Sequence, residues 1–213
     1  MKKNKAFFQK IAKPINYERI SKGVLSHINY PLLLNRVKPQ RTGDSCGLSS
    51  MRSVFLLQFG IETKERDLEK LMKRFHMEEL EGNGIGPKDL ANLMHYVSEK
   101  NKIDTKVFVT GKGNYSQLKW LNEKNILPIT HRKTREGNNV EHYEICLGPN
   151  EREIFLYNSY SHLSSSGFYK VSKPNFLKEW WPVMRPEGRE KWYLAVIKGD
   201  MELPTRMFNG KYL

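Results

Sequence analysis

Cysteine and long apolar stretches are scarce in this chain, and each scarcity excludes a class of protein. The 213 residues hold two cysteines, Cys46 and Cys146, far apart and outside any CxxC spacing. A disulfide framework and a zinc site built on paired thiols therefore lack material. Two thiols without such spacing suit a reducing compartment, so a cytoplasmic location is expected. No apolar run nears the roughly 18 residues that span a bilayer, so no transmembrane segment is expected. The basic N-terminus, MKKNKAFFQKIAKP, has Ala6-Phe7-Phe8 as its longest apolar stretch, whereas an export signal needs an apolar core of about 7–15 residues. The chain reads as soluble and unexported. Internal repeats and low-complexity tracts are also missing.

Acidic residues are the minority charge, 23 against 36 Lys plus Arg, for a formal net charge of +13. That excess favours an acidic protein, an anionic membrane surface or nucleic acid as a partner, and bears on encounter and solubility rather than on fold. No helix-turn-helix, zinc finger or ribonucleoprotein motif is present, so nucleic-acid binding rests on charge alone. The glycine-rich loop Gly82-Asn83-Gly84-Ile85-Gly86 has no strand signal before it and no Lys-Ser/Thr after it. Neither nucleotide-binding fingerprint is met, and no metal or organic cofactor is implied.

What is present is a globular composition, 38% hydrophobic and 28% charged. The length suits one domain, or two closely packed lobes sharing a cleft. Residues 46–59 place Leu48, Met51, Val54, Phe55 and Gln58 on one helical face. Asp44 and Ser45 are good N-cap residues, and Gly60 is a good stop. A second helix is expected over about 64–75, and a third opening at Pro87 with Leu90, Leu93, Met94 and Val97 recurring. After Asn101 the pattern becomes that of strands: 106–109, 126–130, 142–147, 154–157 and 192–197. Turn signals stand at Gly137-Asn138-Asn139 and Gly148-Pro149-Asn150. Helices first and antiparallel strands second mean an α+β fold. The expected organisation is a basic extension over 1–30, a domain over 31–200 and a tail over 201–213. The domain divides into a helical lobe at about 45–100 and a sheet lobe at about 104–198. Phe7, Phe8 and Ile11 could share one side of the extension and touch a membrane surface, or the terminus could simply dock locally.

The sharpest local feature is Gln40-Arg41-Thr42-Gly43-Asp44-Ser45-Cys46-Gly47. A cysteine at a helix N-terminus sees the positive end of the helix dipole, which favours thiolate. Gly47 leaves space for a backbone to approach. The Gln40 amide could fold back to meet the Cys46 N–H as two donors of an oxyanion hole. A nucleophilic thiolate needs a base, and the base an orienting group. His142 opens one strand and Asn158 closes the next, so paired strands could bring them together. His131, within His131-Arg132-Lys133, is expected at the surface, and the basic run at 131–135 as a solvated hairpin. His162 sits in a serine-rich loop, and Cys146 is expected buried and inert. Trp180 and Trp181 read as core or lid aromatics.

This ordered set resembles the papain-like cysteine peptidases. Within them it resembles the family that cleaves double-glycine leaders from bacteriocin precursors. The residues that carry the likeness are Gln40, Asp44-Ser45-Cys46-Gly47, Gly84-Ile85-Gly86, Leu127-Pro128-Ile129, His142-Tyr143 with Gly148, and Asn158, in order over roughly 37–198. The chain departs from the family pattern in two places. Ser45 stands between Asp44 and Cys46, and Asn158-Ser159 replaces an Asp-Pro. The resemblance implies a papain-like α+β fold with a helical lobe against an antiparallel sheet lobe. It also implies a Cys46–His142–Asn158 triad with Gln40 in the oxyanion hole, peptide or protein substrates, and Gly47, Gly84 and Gly86 along the substrate path. The same triad would serve an amidase, an isopeptidase or an acyltransferase, because fold does not fix function. A non-catalytic basic binding module is the reading that uses charge alone.

Overall fold

The structure is a computed structural model describing residues 37–75, 79–80, 84–133, 141–160, 167–180 and 191–213. The extension over 1–30, Gly82-Asn83, the turn at Gly137-Asn138-Asn139, His162 and Trp181 lie outside the described residues.

Three helices come first: α1 (Cys46–Phe59), α2 (Glu65–Arg74) and α3 (Pro87–Lys100), with the short hairpin β1 (Glu79–Leu80) and β2 (Gly84–Ile85) between the last two. Then follow β3 (Thr105–Thr110), α4 (Tyr115–Glu123), β4 (Ile129–Lys133), β5 (Glu141–Pro149), β6 (Glu153–Tyr157), β7 (Phe168–Ser172), α5 (Lys173–Glu179), β8 (Tyr193–Lys198) and β9 (Lys211–Tyr212). The seven longer-range strands form one sheet in the order β7-β6-β5-β4-β8-β3-β9, every described pair antiparallel. The fold is α+β, a helical lobe packed on an antiparallel sheet.

Alternation along the strands gives the sheet two apolar faces. Tyr143, Ile145 and Leu147 of β5 join Met51, Val54 and Phe55 of α1 in one core. Cys146 of the same strand joins Leu118, Leu121, Phe176 and Trp180 in a second core on the opposite face. α1 is covered on more than the one face that its spacing predicts. Ser49, Ser50 and Ser53 are buried too. Their small side chains let the helix approach the sheet, and their hydroxyls find acceptors: Ser50 on the Tyr143 carbonyl at 3.1 Å and Ser53 on the Ser49 carbonyl at 2.8 Å. At the far end of α1, Gln58 donates to the Val196 carbonyl and accepts from the Leu127 N–H, tying the helix to two segments of the sheet lobe. Gly60 ends the helix in the left-handed conformation, φ +71°.

β4 runs later than its apolar pattern predicts, over 129–133 rather than 126–130. His131 and Arg132 are therefore central residues of the sheet, 4% and 2% exposed, and the expectation that they lie on a solvated hairpin is corrected. His131 stacks on Tyr143 at 4.4 Å, with Nε2 3.4 Å from a Glu141 carboxylate oxygen, while Arg132 pairs with Glu144 and Glu179. The segment after residue 200 is joined to the sheet lobe: Leu203 and Phe208 are buried in the second core, and Lys211 and Tyr212 pair with β3.

Candidate active site

Cys46 is the first residue of α1, so the partial positive charge of the helix start falls on its sulfur. Ser45 is the N-cap, but its side chain does not cap the helix. Its hydroxyl turns back to the loop, accepting from the Thr42 N–H and donating to the Thr42 carbonyl, both at 3.2 Å. The loop before Cys46 is tied down from outside as well. Buried Glu65 accepts from the Arg41 N–H at 3.0 Å and pairs with Arg52, and Arg52 also donates to the carbonyls of Lys38 and Pro39.

His142 reaches Cys46 from β5 and hydrogen-bonds it. Nε2 of His142 meets Oδ1 of Asn158 at 2.6 Å, which leaves Nδ1 for the sulfur. Asn158 follows β6 and extends the β5–β6 register by one step, which is how residues on two strands come to share a site. Cys46 and His142 are each 7% exposed, and Asn158 is fully buried. Burial pushes the Cys46 thiol up, but the charge of His142, the hydrogen bond between them and backbone bonds at Tyr143 and Gly47 outweigh it and hold the thiol below its ordinary value. Burial likewise pulls His142 down, and the Cys46 thiolate, Glu144 and Asn158 more than offset it, holding the imidazole above its ordinary value. The two shifts run in the direction of a thiolate beside an imidazolium.

Gln40 lies against the same cluster. Its N–H donates to the Ser159 carbonyl at 2.9 Å, and its Oε1 accepts from the Ser159 hydroxyl at 2.7 Å. Its Nε2 donates to the carbonyls of Thr42 and Gly43 at 2.7 and 3.0 Å, both in the exposed loop before Cys46. The dipeptide Asn158-Ser159 therefore holds the histidine with one residue and Gln40 with the next. The glycines are placed differently from one another. A Cβ on Gly47 would stand 2.4 Å from Cγ2 of Ile85, so its missing side chain makes room for Ile85 and Tyr143. Gly84 has φ +72°, and a Cβ there would stand 2.3 Å from the Asp44 carbonyl oxygen, so it lets β2 close on the loop before Cys46. Gly86, at the start of α3, has open space where a Cβ would be.

Sequence patterns assign no individual role to Ser159, Tyr143 or Glu144. Tyr143 donates to the Ile85 carbonyl at 3.0 Å and locks β2 beside Gly47. Glu144 is fully buried and receives Nδ2 of Asn158 at 2.9 Å. Its signal was a charged residue inside the apolar run Tyr143-Glu144-Ile145-Cys146. Among the described residues, no group of three His, Cys, Asp or Glu could hold a metal ion. Within the same residues, no helix is long and apolar enough to cross a membrane.

No protein-family model and no curated protein matches the chain. Among solved structures, the peptidase domain of Streptococcus ComA matches with a TM-score of 0.53 at 16% identity. That domain belongs to a bifunctional ABC transporter of a quorum-sensing pathway, and the match covers 76% of this chain and 96% of the domain. The peptidase domain of Streptococcus mutans ComA matches with a TM-score of 0.44 at 12% identity, covering 75% and 97%. At 16% identity the likeness is one of fold: the chain has the α+β architecture of the Streptococcus ComA peptidase domain.

Proposed function

We propose that the chain is a cysteine peptidase acting on peptides or protein tails through Cys46, His142, Asn158 and Gln40. The observation that carries the reading is the Cys46–His142 pair, with the thiol held low and the imidazole held high at a helix N-terminus. The Cys46 thiolate attacks the scissile carbonyl carbon. The oxygen, now negative, is received by the Cys46 N–H and by Gln40, whose Nε2 exchanges one of its exposed loop carbonyls for it. The imidazolium gives its Nδ1 proton to the departing amine, and the C–N bond breaks to leave an acyl-thioester. His142 then takes a proton from water, the hydroxide displaces the thiolate, and the acid product leaves with the ion pair restored. Asn158 keeps the ring turned so that Nδ1 faces sulfur throughout. Gly84 and Gly86 form one wall of the path for an extended peptide, with Gly86 open to a close backbone approach.

The test is a peptide library read by mass spectrometry, with native protein beside Cys46→Ala. Cut backbones with the native protein alone are expected. Retained cleavage in a folded Cys46→Ala chain would falsify the assignment. Deamidated or acylated products in place of cut ones would move the acyl-thioester to another acceptor.

A further inference from the structure

Strand register gathers six polar side chains on one face. Arg132 is the cross-strand partner of His142, and Thr130 that of Glu144. The Ile145–Tyr157 and Leu156–Tyr169 pairings bring Asn158 and Tyr169 to the same side, because residues two apart on a strand share a face. Asn158 donates Nδ2 to Oε1 of Glu144 at 2.9 Å. The Tyr169 hydroxyl donates to the same oxygen, and Arg132 Nε donates to Oε2. Arg132 also donates to the Tyr169 hydroxyl and to Glu179.

Each of these groups approaches Glu144 as a donor, so the position needs an acceptor-only side chain. That requirement orients Asn158. Its Nδ2 has to face Glu144, and its Oδ1 therefore faces His142. Turned the other way, the amide would present N–H groups to the imidazole and lose the bond to Glu144. A glutamine at 144 would bring its own N–H groups against either Asn158 or Arg132. We propose that Glu144 is a positioning residue, a buried carboxylate one amide behind His142 that sets the orientation of Asn158 and through it favours the imidazolium. The proposal rests on the peptidase reading of the Cys46–His142 pair. In a Cys-His-Asp arrangement the carboxylate touches the imidazole directly. Here it stands one hydrogen bond further back, paired with Arg132, which Glu179 also holds, so the buried charge is compensated. Burial lowers His142, and Cys46 and then Glu144 raise it. The other groups facing this histidine are Arg132 across the β4–β5 pair, His131 beside Arg132 on β4, and Tyr160, whose ring lies 6.4 Å away.

The test compares native protein, Glu144→Gln and Glu144→Gln/Asn158→Asp. Iodoacetamide alkylation of Cys46 is followed against pH by peptide mass spectrometry, with melting temperature as the check on folding. Native protein gives two steps, one as the ion pair forms and a higher one as the imidazolium deprotonates. In Glu144→Gln the upper step falls by about one pH unit, a tenfold loss of proton affinity. The double variant moves the carboxylate across one hydrogen bond at constant buried charge and returns the upper step to its native place or above. An unmoved upper step in folded Glu144→Gln overturns the proposal. Should that variant fail to fold, the double variant decides: a folded chain with two steps supports the proposal, and an unfolded chain or a single step overturns it. A native protein with one ordinary thiol step overturns the peptidase reading itself.

Discussion

Cys146 lies in the middle of β5, fully enclosed, with its thiol donating to Asn122 Oδ1 at 3.3 Å, and burial pushes its pKa far above the ordinary thiol range. Cys46 is almost as enclosed, at 7% exposure, yet its thiol is held below that range. Burial acts in the same direction on both. The difference lies in the partner: a neutral amide beside Cys146, and a histidine with the start of a helix beside Cys46. Two histidines repeat the contrast in the opposite sense. His131 is held down at about 4, first by burial and then by the charge of His142. His142, nearly as buried, is held up by the thiolate and by Glu144. In this molecule desolvation is shared, and the neighbouring charge decides which way each thiol and each imidazole is shifted.

Removing the counter-charge should break the comparison most completely. His142→Ala should make Cys46 behave like Cys146. Alkylation near pH 6 should fall on the order of a hundredfold or more, since each unit of restored thiol pKa is tenfold, and peptide cleavage should fall by about 10³ or more. Gln40→Ala should separate activation from turnover. The alkylation profile should stay as in the native protein, while kcat falls by about 10²-fold through loss of an oxyanion donor.

The histidine contrast has a signature in stability. His131 is depressed in the folded state to about 4, against about 6.5 in the unfolded chain. Between those values the unfolded chain binds the proton and the folded chain does not, so His131 lowers stability as pH falls through that window, by up to about 3 kcal/mol below it. Urea unfolding at pH 4.5 and 7.5 should show a smaller acid loss in His131→Phe than in the native protein. Equal losses would mean that His131 takes up its proton in place. The smallest effect should come from Cys146→Ala, with about 1 kcal/mol of stability lost and no change in Cys46 alkylation or cleavage.

The local parts of this site were legible because local rules made them. Cys46 opens a helix that Gly60 closes, and His142 and Asn158 stand at strand ends as alternation and turn signals place them. The non-local parts were not legible. Glu144 meets Asn158, Arg132 and Tyr169 only through the register of four strands, which no short window of sequence carries. His131 and Arg132 read as surface residues because charge usually is, and the partners that bury them come from β5 and α5. The strand β7 carries no apolar run in the sequence, because Lys170 and Ser172 interrupt it; Phe168 joins one core while Tyr169 and Val171 pack against the other. Gly47 read as an opening for substrate, and the structure fills the space beside it with Ile85 and Tyr143.

The central claim is that Cys46 is a thiolate because His142 is an imidazolium. Site-resolved iodoacetamide alkylation of native protein between pH 5 and 9, with Cys146 as internal reference, measures it most directly. Rapid modification of Cys46 already at acidic pH, with Cys146 inert and the acid reactivity gone in His142→Ala, is the expected result. A Cys46 that reacts only as pH passes the ordinary thiol range would contradict the account.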